Sequence, residues 1–217
     1  MFTSRFQAWV RRNAQRAAGA LARLGITPNQ VTIAGMLATF VAGALAGLGY
    51  LIPAGLVLAF SGTFDILDGA LARATNRMYP YGAFLDSTTD RYSEVAVYLG
   101  IASYFMTHPS PWHPWTIVAV VAALSGSLLV SYVRARAQSL GFKCDSGLFA
   151  RPERVVATVI GLLAGPFVLA ILMFLLAIVT NVTVIQRINE VYSQARAERR
   201  ADERAAEAPA SGETSRP

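Results

Sequence analysis

Asp65-Ile-Leu-Asp68-Gly69-Ala-Leu-Ala72-Arg73, followed after eight residues by Gly82-Ala-Phe-Leu-Asp86-Ser-Thr-Thr-Asp90, is the stretch on which the fold turns. Its acids stand inside otherwise apolar sequence. A charge at the centre of a bilayer costs about 2.5–3.5 kcal/mol on insertion scales, so intramembrane acids mark function by default. Helical spacing organises them. Asp65, Asp68, Gly69 and Ala72 recur at i, i+3, i+4 and i+7, and Gly82, Asp86 and Asp90 at i, i+4 and i+8, which gives each set one helix face. The connection between them is short, so the two helices are expected to be antiparallel neighbours with four carboxylates converging near one membrane boundary.

The flanking sequence supplies the membrane. Of the 217 residues, 54% are hydrophobic and 15% charged, against about 25% charged in ordinary soluble domains. Thr27-Pro28-Asn29-Gln30 reads as an N-cap, a proline at the first helical position and a capping-box glutamine. From Val31 to Leu51 no charge occurs, which meets the ~20 residues that a spanning helix needs. A second span is expected over 53–76 and a third over 82–106. The proline-broken loop His108–Trp115 comes next, then a fourth span over 116–138. After a polar loop, Pro152 opens a fifth that ends before Gly165-Pro166, and a sixth runs over 167–192.

Charge supports that count. The 19 Lys and Arg residues all fall in the N-terminal segment, near the joins between spans two and three or four and five, or at the C-terminal end. The three opposite loops carry none. Under the positive-inside rule the basic side, with both termini, is cytoplasmic. The expected fold is therefore all-α and integral to the membrane, with six transmembrane helices. An N-terminal amphipathic interfacial helix over 1–24 precedes a membrane domain over 25–192, and a charged cytoplasmic tail over 193–217, a frayed helix and then disorder, follows. The N-terminal residues do not resemble a cleaved signal peptide. A net charge of +6 raises nucleic acid as a partner, but the basic residues lie at the ends of apolar runs, so nucleic acid is not expected. Cys144 is the only cysteine, which leaves no internal disulfide and no thiolate metal cluster.

Four carboxylates without His or Cys suit a hard divalent cation such as Mg²⁺, Mn²⁺ or Ca²⁺. Gly69, Ala72 and Gly82 leave room for a ligand on the same faces, and Arg73 can offer a forked donor to phosphate. The plainer alternative is structural pairing of the acids with Arg73, Arg77 and Arg91. Glu94 is either a supporting residue or simply satisfied by a neighbour.

These eight fixed residues at fixed spacing are a complete match to the signature of the CDP-alcohol phosphotransferases, and the chain resembles that family. The resemblance implies a multi-pass membrane enzyme of phospholipid synthesis, a homodimer, with a cytoplasm-facing site for two divalent ions, Mg²⁺ or Mn²⁺. It implies that Asp65, Asp68, Asp86 and Asp90 hold the metals and that Asp90 is the general base. It also implies that Pro28, Thr32, Gly69, Ala72, Arg73 and Gly82 bind the CDP-lipid.

At the cytoplasmic ends of the later spans, Ser131, Arg134, Arg154 and Arg187 have the better case for an acceptor phosphate, whereas Arg136, Lys143 and Arg151 read as topological charge. The stretches around these residues resemble actinobacterial phosphatidylinositol phosphate synthases. That resemblance implies CDP-diacylglycerol as donor and inositol phosphate as acceptor. Gln138 stands where that group commonly has an acid. Glycerol phosphate as acceptor (a phosphatidylglycerophosphate synthase) or an archaetidylinositol phosphate synthase are the near alternatives. A cation transporter is the distant one, and it predicts acids spread through the membrane depth rather than gathered at one side.

Overall fold

A computed structural model describes residues 14–76, 79–108, 113–144, 146–147 and 151–207. All regular structure in them is helical. A first helix, α1, covers described residues 14–23. It is followed by α2 (Pro28–Gly47), α3 (Leu51–Ala74), α4 (Pro80–Thr107), α5 (His113–Ser139), α6 (Arg151–Ala164) and α7 (Pro166–Glu207).

The helix boundaries have local causes. At the start of α2, Thr27 is extended at the N-cap, and its hydroxyl accepts from the Gln30 N–H at 3.4 Å. The Gln30 side chain accepts from the Thr27 N–H at 2.9 Å. This is the reciprocal pair expected from Thr27-Pro28-Asn29-Gln30, and it satisfies donors that would otherwise be orphaned. Pro80 opens α4 as Pro28 opens α2. Gly165, with φ +99°, makes the turn between α6 and α7, a backbone conformation that L side chains rarely adopt. No Gly or Pro interrupts residues 167–208, and α7 accordingly continues past Tyr192 to Glu207.

Among the described residues, four helices are long and apolar enough to cross a bilayer: Pro28–Gly47, Leu51–Ala74, Pro114–Ser139 and Pro166–Arg204. The other two long segments miss that standard for different reasons. α4 has 28 residues but carries Asp86, Asp90, Arg91 and Glu94. α6 has 14 residues, about 21 Å of helix, which is short of a ~30 Å hydrocarbon core.

The helices pack as α2 against α3 and α4, α5 against α7, α3 against α6, and α6 against α7, with α4 joining α5. Small residues (Ala42, Ala46 and Ala54) bring helices close, and Leu58, Ile101, Phe105, Leu162, Met173 and Leu176 fill the centre. Large apolar side chains such as Phe60, Leu99, Val121, Phe167 and Ile178 face outward. Such a surface suits hydrocarbon and would be an aggregation hazard in water. Ala14 and Ala18 of α1 are buried with Val31, Ala70 and Leu71, so α1 sits against the α2–α3 end of the bundle, beside the aspartates of α3.

Candidate active site

α3 and α4, expected from their short connection to be direct neighbours, each pack on α2 instead, and the four aspartates they carry lie within electrostatic reach of one another across that arrangement. Asp68 interacts with Asp86 and Asp65, while Asp90 interacts with Asp86 and Asp65. Asp68 is buried, and its Oδ2 accepts a 2.7 Å hydrogen bond from the Thr32 hydroxyl of α2. Asp86 and Asp90 are half-buried and Asp65 is exposed.

One cavity of about 280 Å³ gathers Pro28, Thr32, Gly69, Ala72, Arg73 and Gly82 with Asp68 and Asp86. All six residues expected at the CDP-lipid therefore line a single space, together with two of the aspartates. Small side chains create that space. A Cβ on Gly69 would meet nothing closer than Arg73 Nη1 at 3.5 Å, and one on Gly82 nothing closer than Asn29 Oδ1 at 3.5 Å. The room over Gly69 opens into the cavity, and over Gly82 it is bordered by the Asn29 side chain of α2, which also lines the cavity.

The other two aspartates face a second, narrower cavity between α2, α3, α4 and α6, where Asp65 and Asp90 meet Arg151, Arg154 and Glu94. Arg151 reaches across its mouth. Its Nη1 lies 2.6 Å from Asp65 Oδ2 and its Nη2 lies 2.8 Å from Asp90 Oδ1. Arg151 reads as topological charge from sequence, and the structure corrects that. The arginine that meets these carboxylates comes from α6, far along the chain, whereas Arg91 donates within its own helix to the Ser87 carbonyl. Arg77 lies outside the described residues.

Among the expected acceptor residues, Arg154 is 2% exposed, and its Nε and Nη2 donate to Glu94 Oε1 at 3.0 and 2.8 Å. Glu94 is thus the buried counter-ion of Arg154. Arg187 is also buried, donating to the carbonyls of Ser146 at 2.8 Å and Val130 at 2.6 Å. It lies within electrostatic reach of both Arg134 and Arg154. Ser131 is half-buried and Arg134 exposed. Arg154 lines the second cavity with Asp65 and Asp90, whereas Ser131 and Arg134 stand on α5 and Arg187 on α7. Glu190 fastens the α5–α6 loop there by accepting from the Ser146 hydroxyl at 2.5 Å, and Gln194 pairs with the Lys143 backbone at 3.0 and 2.6 Å.

Among the described residues no three His, Cys, Asp or Glu side chains stand close enough to hold an ion as they are. The donor set nonetheless fits a hard divalent cation. It consists of carboxylate oxygens carried by α3 and α4, one of them oriented by Thr32 and two already bridged by a cationic fork.

A sequence model of the CDP-alcohol phosphatidyltransferases matches residues 25–187. The phosphatidylinositol phosphate synthase of Mycobacterium tuberculosis is 38% identical over 182 residues, covering 80% of this chain and 82% of its own. The archaetidylinositol phosphate synthase of Pyrococcus horikoshii is 38% identical over 188 residues, covering 86% of this chain and 95% of its own. A crystal structure of the M. tuberculosis synthase with CDP-DAG bound superposes with a TM-score of 0.77 at 34% identity, over 83% of this chain and 94% of that one. A second structure of the same synthase, in complex with manganese and citrate, gives 0.77 at 33% identity over 82% and 88%.

Proposed function

The chain belongs to the CDP-alcohol phosphatidyltransferase family, and on that premise we propose that it transfers the phosphatidyl group of CDP-diacylglycerol to inositol phosphate, giving phosphatidylinositol phosphate and CMP. The observation that carries this reading is the single cavity in which Pro28, Thr32, Gly69, Ala72, Arg73 and Gly82 meet Asp68 and Asp86. A nucleotide needs flat space beside its phosphates, and here the glycines and alanine face the same space as acids and an arginine.

In the reaction the acceptor hydroxyl attacks the lipid-bearing phosphorus. A new P–O bond forms there and the P–O bond to CMP breaks. Divalent cations, when bound by Asp65, Asp68, Asp86 and Asp90, supply neutralisation of the pyrophosphate charge. We assign two ions to the site, Mg²⁺ or Mn²⁺. Asp90, at the boundary between the nucleotide side and the Arg154 side, takes the proton from the acceptor hydroxyl as the new bond forms. Arg73 meets the donor phosphates. Arg154, held by Glu94, presents positive charge to the acceptor phosphate, with Ser131, Arg134 and Arg187 completing that side. Fixed helices suit phosphoryl transfer, which asks chiefly for positioning and charge stabilisation.

The names of both groups of relatives specify inositol phosphate and differ in the lipid, which favours inositol phosphate over glycerol phosphate and leaves the archaeal lipid as the second reading. We further read α4 and α6 as spanning, which makes six spans with both termini and the site on the cytoplasmic side of the cell membrane. In this arrangement 1–24 lies at the interface, 25–192 forms the membrane domain, 193–217 is a cytoplasmic tail, and the enzyme is a homodimer. Purified enzyme given Mg²⁺ or Mn²⁺, CDP-diacylglycerol and a panel of inositol phosphate, inositol, glycerol 3-phosphate and serine tests the proposal. CMP release with inositol phosphate is expected. Release with glycerol 3-phosphate alone would reassign the acceptor, and no release with any alcohol would remove the enzymatic reading.

A further inference from the structure

Arg151 is where the structure departs furthest from what the aspartate motif alone suggests. It opens α6, immediately before Pro152, and its guanidinium forks onto Asp65 of α3 and Asp90 of α4. Both contacts are short, and they use carboxylates from the two helices that would have to share a cation. Nε, the remaining edge of the same guanidinium, is buried and without a hydrogen-bond partner. A buried donor left unmet is unfavourable, so this pose satisfies the carboxylates better than it satisfies the arginine.

From this geometry we infer that Arg151 is a positioning residue that stands in for the divalent cation. It holds Asp65 and Asp90 together in the metal-free enzyme and withdraws from them when the ion binds. The inference rests on the reading of the aspartates as a metal site. Its physical basis is simple. Carboxylates brought together by two helices repel one another, and a cation of some kind must offset that repulsion. A guanidinium on Asp65 Oδ2 and Asp90 Oδ1 does so, but it blocks those oxygens and brings positive charge against an incoming ion. Arginine contact and metal binding are then negatively coupled, and the coupling is reciprocal. Because α6 packs on α3, withdrawal also frees the Arg151 fork, Nε included, beside the Arg154 side of the site.

Arg151→Gln and Arg151→Lys in the purified full-length enzyme test this through thermal unfolding with EDTA or saturating Mn²⁺, and through Mn²⁺ titration. Arg151→Gln should lower the Tm in EDTA by several degrees and bind Mn²⁺ roughly five- to tenfold more tightly than wild type. The Tm deficit should disappear in saturating Mn²⁺, where the wild-type arginine is no longer on the carboxylates. Arg151→Lys, which keeps the charge but loses the fork, should show a smaller deficit with the same metal dependence, and it serves as the readout if Arg151→Gln does not fold. A Tm deficit equal with and without Mn²⁺, or unchanged Mn²⁺ affinity, overturns the stand-in role while leaving the metal site intact. Failure of Mn²⁺ to bind or stabilise even the wild type overturns both.

Discussion

Individual residues in this site carry opposing demands, and Arg154 shows how they divide. Its guanidinium is 2% exposed and doubly bonded to Glu94, itself 7% exposed. Removing one partner of such a pair leaves an uncompensated buried charge, which costs about 3–5 kcal/mol. Arg154→Gln alone should therefore lower stability by about that amount in denaturant titration, and its kinetics would mix folding with binding. Arg154→Gln with Glu94→Gln removes both charges together and should recover most of that loss, while the KM for inositol phosphate stays well above wild type and that for the CDP-lipid hardly moves. A double variant with wild-type acceptor KM would take Arg154 out of the acceptor site. Gly69 poses the complementary case. Alanine is favoured over glycine inside a helix by up to about 1 kcal/mol, and the added Cβ meets the Arg73 guanidinium no closer than 3.5 Å. Gly69→Ala should thus keep or raise the Tm yet raise the KM for CDP-diacylglycerol, because the methyl enters the cavity. A stability loss without a KM change would show that the space over Gly69 is not the donor's.

The aspartates were legible at the level of elements because their signal is local. Periods of three and four on an apolar background define a face without any knowledge of the partner helices, and Thr27 and Gln30 define a helix start in the same way. What α6 contributes was not legible. The Arg151–Asp65 contact joins residues 86 apart and the Arg154–Glu94 contact residues 60 apart. Which of several arginines reaches an acid depends on how α6 lies against α3 and α4. The length of α7 was underread for another reason. Ala, Arg and Glu after Tyr192 resemble a solvated tail in composition, but they are strong helix formers without an interrupting Gly or Pro. The same dependence on packing governs the α2–α4 crossing. A Cβ on Gly100 would sit 2.0 Å from the Gly43 carbonyl oxygen, which is backbone and cannot turn aside. Gly100→Ala should therefore cost about 1–3 kcal/mol, against the usual helical preference. It should also depress turnover, since α2 carries Thr32 and α4 carries Asp86 and Asp90. Gly47→Ala at the same helix pair meets Ser103 Cβ at an ordinary 3.5 Å and is the control expected to behave as wild type. Equal effects from both would mean that the crossing is not held by glycine.

For the whole molecule, the question is how a bundle in which four of the described helices are both long and apolar enough to span is threaded through the bilayer. α4 carries all its charges before residue 95, at Asp86, Asp90, Arg91 and Glu94, whereas residues 95–107 are uncharged. α6 is apolar but short, and Arg154 near its start is neutralised by Glu94. Asp90 and Glu94 are paired with Arg151 and Arg154 of α6, so those charges are met inside the bundle, and packing can hold a segment in the membrane that hydropathy alone would leave out. The six-span reading and a four-span alternative differ in a way that one pair of positions resolves. If α4 crosses, position 107 is outside and position 136 inside. If α4 and α6 do not cross, those two locations are exchanged. With Cys144 replaced by serine, single cysteines at Tyr50, Thr107, Arg136 and Arg196 can be probed in intact cells with a membrane-impermeant thiol reagent. Tyr50→Cys and Thr107→Cys should label from outside, and Arg136→Cys and Arg196→Cys only after permeabilisation. That pattern keeps the positively charged loops, the aspartates and the arginines of α5 to α7 on one side, where CMP can leave and a phosphorylated, membrane-impermeant acceptor can arrive. Labelling of Arg136→Cys in intact cells, with Thr107→Cys protected, would favour the four-span topology and separate Arg134 and Arg154 from the aspartates by the width of the membrane.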